Sequence, residues 1–122
     1  MQTIQAGPRH LRPTFSDDER VPYRRIAPLP MSPTIGAEIE GLSLAEPMDA
    51  ETFDEVHRAL LEFKVIFFRD QDITAEQHVA FARRFGDLER HPFLPHRDGF
   101  PEVVVLKKNE HMGGFENVWH SD

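Results

Sequence analysis

The chain has 122 residues, 39% hydrophobic and 29% charged, with ten phenylalanines and a formal net charge of −7. That length and composition suit one folded domain, and the acidic balance argues against a nucleic-acid-binding surface, which must be basic. The absence of cysteine removes any disulfide framework and the thiolate zinc sites of finger domains. The longest apolar runs, Val65 to Phe68 and Val103 to Leu106, are far too short to cross a bilayer.

Residues 1–24 are rich in Pro, Arg and acidic side chains without a sustained period, and read as a poorly ordered extension. Within them, Met1 to Thr14 has no apolar core of a signal peptide. With no cysteines, this leads to the expectation of a cytoplasmic protein. The basic cluster Arg20, Arg24 and Arg25 reads as a solvated segment. The folded domain is expected over 25–122. In it, Ile35, Ala37 and Ile39 alternate with Gly36, Glu38 and Glu40, a short strand pattern closed by Gly41.

Asp49 is placed to cap a helix whose first turn holds Glu51 and whose apolar face is Phe53, Val56, Leu60 and Phe63. His57 beside that face reads as a structural histidine. Val65-Ile66-Phe67-Phe68, apolar on both faces, reads as a buried strand. Thr74 with Gln77 forms a capping-box pattern for a second helix, with Phe81, Ala82 and Phe85 inward and Gly86 as its stop. His78 on this helix also reads as structural.

Residues 87–101 read as a long connection with prolines and histidines, of the kind that often carries function. Val103 to Leu106 reads as a second buried strand, and Lys107 to Glu116 as a loop around Gly113-Gly114. The chain then runs Asn117-Val118-Trp119-His120-Ser121-Asp122.

His120 and Asp122 stand two residues apart, so on an extended segment both side chains face one way. A nitrogen and an oxygen ligand then converge on one point, two of the three members of the facial triad that holds non-heme iron(II). A lone His-x-Asp triplet is weak, since a polar strand end produces the same pattern. His96 and His111 are the spare histidines nearby, and no spacing rule makes either a third ligand.

The order of elements adds specificity. The stretch from Ile35 to Asp122 resembles the N-terminal portion of the taurine dioxygenase (TauD/TfdA) family of Fe(II)- and 2-oxoglutarate-dependent dioxygenases. Three blocks carry the resemblance: Ile35 to Gly41 with Leu44; Val65 to Gln71, then Ile73-Thr74 and Arg84-Phe85-Gly86; and His91-Pro92, His96, Val103 to Leu106 and Trp119-His120-Ser121-Asp122.

The resemblance implies an α+β chain forming part of a double-stranded β-helix, jelly-roll-like, with two flanking helices and an incomplete domain. It implies that His120 and Asp122 are the first two iron ligands. It implies that His91 contacts the acidic head group of the substrate. Asn117, three residues before His120, is a further candidate as a loop polar group, either for a hydrogen bond to substrate or for holding the metal loop. The implied reaction couples oxidative decarboxylation of 2-oxoglutarate, to succinate and CO2, to hydroxylation by O2 of a small anionic substrate: a sulfonate such as taurine, a sulfate ester or a carboxylate. Asp122 favours hydroxylation over halogenation, which needs a small residue at that ligand position.

Leu94 stands where taurine dioxygenase proper has a tyrosine, which puts taurine itself in doubt. The second histidine ligand and the arginine that anchors 2-oxoglutarate have no counterpart here. The isolated fragment is therefore expected to be inactive, and the full-length parent to be a homo-oligomer without nucleic-acid or membrane partners. A non-catalytic binding module on the same β-scaffold is the alternative from another class.

Overall fold

The computed structural model describes residues 21–107. Those residues hold, in chain order, β1 (Ala27–Pro30), β2 (Ala37–Glu40), α1 (Ala50–Phe63), β3 (Ile66–Phe67), α2 (Ala75–Arg83), β4 (His96–Arg97) and β5 (Phe100–Val104). The chain divides into two units, Met1–Gln77 and His78–Asp122.

In the first unit a three-stranded sheet has the order β1-β2-β3, antiparallel between β1 and β2 and parallel between β2 and β3. The parallel pair follows from the helical crossover through α1, since two strands running the same way cannot be joined by a tight turn. β1 carries Pro28 and Pro30, residues with no N–H to donate to a ladder, and it lies at the edge of the sheet. This strand is absent from the sequence reading because the two prolines mask it. Gly36, at φ +89, turns the chain into β2; its carbonyl accepts from Met31 N and its own N–H donates to Phe63 O. A left-handed φ of that size is cheap only for glycine.

The alternation expected at 35–40 holds from Ala37 onward. Ala37 and Ile39 are buried, whereas Ile35 lies before β2 and is 48% exposed. The capping of α1 is as expected, with Asp49 Oδ1 accepting from Thr52 N at 2.7 Å. The helix stops at Lys64, which adopts a left-handed conformation and donates its N–H to Leu60 O. Its inward stripe is Val56, Ala59 and Phe63, with Phe53 and Leu60 half-buried at its margin. Together with Ile26, Ala37, Ile39 and Ala75, this stripe supplies the buried apolar residues of the first unit. Asp49→Ala is expected to lower stability by about 1 kcal/mol, the usual cost of losing such a cap; chemical denaturation of the variant measures it.

Val65 to Phe68 departs from the buried strand expected. Only Ile66 and Phe67 pair, with Ala37 and Glu38, and Phe67 is 44% exposed. Among the described residues this short strand is an edge of the sheet.

The segment from Pro22 to Ile26, whose arginines read as solvated, is fastened to α1. The Glu55 carboxylate accepts from the backbone N–H groups of Arg24, Arg25 and Ile26. Burial pushes the Glu55 carboxyl up, but those three donors together hold it below the usual glutamate range. Arg25 pairs with Asp49 and Glu51 at the start of α1. The Tyr23 hydroxyl donates to Glu62 at 2.7 Å while the Arg58 guanidinium lies 4.1 Å from the Tyr23 ring centre. Burial, reinforced by the Glu62 carboxylate, pushes the Tyr23 phenol far above its ordinary value.

The capping box of α2 forms as its pattern requires. Gln77 N donates to Thr74 Oγ1 and Thr74 N donates to Gln77 Oε1. Its buried positions are Ala75 and Val79, not the expected Phe81, Ala82 and Phe85; the first two of those are half-buried and Phe85 is exposed. The helix ends at Arg83, three residues before Gly86.

In the second unit β4 and β5 form an antiparallel hairpin around Asp98-Gly99, with Gly99 at φ +78. Asp-Gly between two short extended runs is a hairpin signal that the sequence reading passed over as part of a long loop. The strand expected at Val103 to Leu106 is therefore displaced: β5 runs Phe100–Val104, and Leu106 lies beyond it, 81% exposed. Arg83 pairs with Glu102 at 3.1 Å.

Candidate functional site

Arg90 to His96, together with Pro101, line an open cleft in the second unit. The stretch carries three prolines, Pro92, Pro95 and Pro101, each with φ fixed near −65° and no N–H to offer. Such a segment holds its shape with few backbone bonds of its own. Its far end is tied by Val105 N donating to Pro95 O at 2.8 Å.

His91 occupies the start of this segment and is exposed. Its Nδ1 accepts from Phe93 N at 3.2 Å and from Leu94 N at 3.0 Å. The ring meets Phe93 edge-on, with 6.3 Å between centres. Phe93 is 89% exposed and Leu94 is partly exposed, so the cleft has an apolar wall beside the histidine.

His96, in β4, lines the same cleft, with Nδ1 3.3 Å from Arg97 O. The structure thus brings His91, His96 and Arg90 to one opening. Arg90 was not singled out from the sequence; its place next to His91 is the signal that could have found it.

His120, Asp122 and Asn117 lie outside the described residues, as does His111. Among the described residues no group of three or more His, Cys, Asp or Glu side chains could hold a metal ion. His96 accordingly has no cluster of ligands around it within that range. No helix among the described residues is long and apolar enough to cross a membrane.

Comparison with known proteins gives these features a context. The family model for the taurine catabolism dioxygenase TauD, TfdA family matches residues 26–122. An alkylsulfatase from Acinetobacter baylyi is 39% identical over 89 residues, covering 72% of this chain and 27% of the relative. An alpha-ketoglutarate-dependent sulfate ester dioxygenase from Pseudomonas putida is 37% identical over 94 residues, covering 76% of this chain and 31% of the relative. The crystal structure of a taurine dioxygenase from Burkholderia xenovorans superposes with a TM-score of 0.63 at 40% identity, over 70% of this chain and 32% of that one.

The chain therefore spans about a third of the length of the proteins it matches. Its match to the family model begins at Ile26, the first buried residue of the described fold, and runs through the His120-Ser121-Asp122 motif. The chain belongs to the TauD/TfdA family of dioxygenases.

Proposed function

We propose that the complete protein bearing this chain is an Fe(II)- and 2-oxoglutarate-dependent dioxygenase that oxidises a small anionic substrate, with a sulfate ester favoured over taurine. The observation that carries the reading is the family match across 26–122, which includes His120 and Asp122. These two residues would supply a nitrogen and a carboxylate oxygen to iron(II), which suits that metal's preference for mixed N/O ligands with open positions. The bound metal would supply the activation of O2 that no side chain can provide. On this reading the chain is part of a double-stranded β-helix, and Asn117, close before His120, is a further substrate contact.

The cleft is the proposed place of substrate recognition. His91 offers a hydrogen-bond donor to an anionic head group, with Arg90 nearby on the same rim. Leu94, where taurine dioxygenase proper has a tyrosine, and the exposed Phe93 ring present carbon rather than hydroxyl, which suits an alkyl chain more than the ammonium end of taurine. The relatives named as an alkylsulfatase and a sulfate ester dioxygenase support the same preference. Hydroxylation of the carbon bearing the ester oxygen leaves that carbon with two oxygens. The C–O bond to sulfate then breaks, giving an aldehyde and inorganic sulfate.

The test is a substrate panel with the complete protein, Fe(II), ascorbate and 2-oxoglutarate. Hexyl sulfate is expected to stimulate succinate release and to yield one sulfate per succinate. Stimulation by taurine or by 2-phenoxypropionate, with none by hexyl sulfate, would assign the site to another class of anion.

A further inference from the structure

We propose that Glu55 is a charge-dependent latch that holds residues 22–26 across α1 and keeps the dibasic Arg24–Arg25 site out of reach of trypsin-like proteases. The inference does not rest on the oxygenase reading.

The latch is one carboxylate facing three consecutive amides. Oε2 accepts from the Arg24, Arg25 and Ile26 N–H groups at 3.1, 2.9 and 3.3 Å, and Oε1 accepts from Arg24 N–H at 2.9 Å. Successive N–H groups turned to one side make a concave anion site, and the chain fills it with its own glutamate from about thirty residues away. Side-chain clasps flank the latch. The Tyr23 hydroxyl donates to Glu62, Arg58 covers the Tyr23 ring and donates to Pro22 O at 3.3 Å, and Arg25 pairs with Asp49 and Glu51.

The Arg24 and Arg25 side chains are exposed, so a protease that selects arginine can meet them. It must also take the chain as an extended strand and bond its backbone. Glu55 already occupies the amides on both sides of the Arg24–Arg25 bond. Cleavage therefore needs local opening, and its rate follows the fraction of molecules in which the latch is open. The place of the site gives opening a consequence. The family match begins at Ile26, so a cut after Arg25 separates the family domain from the chain ahead of it.

Charge closes the latch. Burial pushes the Glu55 carboxyl up, yet the three amides and Arg58 hold it below the usual glutamate range, because their bonds favour the ionised form. Its contribution is complete above the value of glutamate in an unfolded chain and is lost as pH falls through the lowered one, so acid opens the strap. The charged groups around Glu55 are Arg24 and Arg25 on the strap and Arg58 on α1; Asp54 and His57, both exposed, neighbour it along the helix. Asp49 and Glu51 are engaged by Arg25, and Glu62 by Tyr23.

Trypsin digestion of the folded complete protein, with cuts after Arg24 and Arg25 followed by mass spectrometry, tests the latch. Glu55→Gln keeps the size of the side chain but offers a single oxygen and turns an NH2 group toward an amide donor. It is expected to speed these cuts about tenfold. Glu62→Gln, which leaves Tyr23 an acceptor, is expected to stay within about twofold of wild type. Equal cutting of wild type and Glu55→Gln, or the same acceleration in both variants, overturns the proposal. Hydrogen exchange in peptides covering 22–26 and α1 shows whether opening is local. Loss of α1 protection together with that of the strap in Glu55→Gln would make Glu55 a general support of the fold and overturn the latch. In the wild type, acid is expected to remove strap protection before that of α1. Strap protection that lasts until α1 itself opens overturns the dependence on charge.

Discussion

Phe63→Ala is expected to destabilise the fold by about 3–4 kcal/mol, the usual loss when a large buried aromatic side chain is deleted and its cavity only partly collapses. Phe63 is 4% exposed and closes the inward stripe of α1. Its position also joins three elements. Its carbonyl accepts from Gly36 N, which leads into β2, while Lys64 turns the chain out of the helix and Val65 O accepts from Ala37 N. Loss of the ring therefore loosens the place where the helix, its exit and the central strand meet. Leu61, two residues away and 67% exposed, provides the contrast; Leu61→Ala is expected to stay within about 0.5 kcal/mol of wild type. Urea unfolding of both variants measures the difference. Since a domain holds only about 5–15 kcal/mol in total, the Phe63 variant should show a large shift in its midpoint. A Phe63 effect no larger than that of Leu61 would mean that the helix does not pack through this stripe.

Local capping chemistry was legible residue by residue. Asp49 and the Thr74–Gln77 pair act as their side chains dictate, because a cap depends on groups within one turn of the chain. The identity of the buried faces was less legible. Periodicity locates a stripe on α1 but does not say whether Ala59 or Leu60 lies at its centre, and small residues such as Ala59 and Ala75 carry little apolar signal while sitting where elements approach closest. In β1, Pro28 and Pro30 argue against a strand on sequence grounds, although an edge strand tolerates them. β4 and β5 were hidden by reading 87–101 as loop despite Asp98-Gly99.

The candidate site was legible in a different way. His91 is an unremarkable loop histidine on composition alone, and only the family resemblance singled it out. Its double acceptance from Phe93 and Leu94 depends on side-chain rotamer and turn geometry, which no spacing pattern encodes. The attachment of Tyr23, Arg24 and Arg25 to α1 was equally invisible, since the partners Glu55 and Glu62 stand about thirty residues or more away in sequence.

The second large effect concerns Asp122. In the complete protein, Asp122→Ala is expected to weaken iron(II) binding by more than about 100-fold, beyond the loss typical for removing a group that only supports a ligand. That corresponds to at least about 2.7 kcal/mol. The carboxylate would contribute an oxygen ligand and a negative charge toward compensating the cation, and alanine offers neither. Productive binding of a 2-oxoglutarate co-substrate that depends on the bound iron would be lost as well. His91→Asn provides the contrast, because a residue outside the proposed pair of metal ligands is expected to leave iron affinity unchanged.

The most direct measurement is therefore iron(II) titration, with succinate release from 2-oxoglutarate followed in parallel, for the wild type and for Asp122→Ala. Saturable iron binding and iron-dependent succinate formation in the wild type, with both lost in the variant, is the predicted result. Iron affinity and succinate formation within about twofold of wild type in the variant, a difference in barrier of only about 0.5 kcal/mol, would contradict the assignment of Asp122 as a ligand; absence of both from the wild type itself would contradict the oxygenase reading.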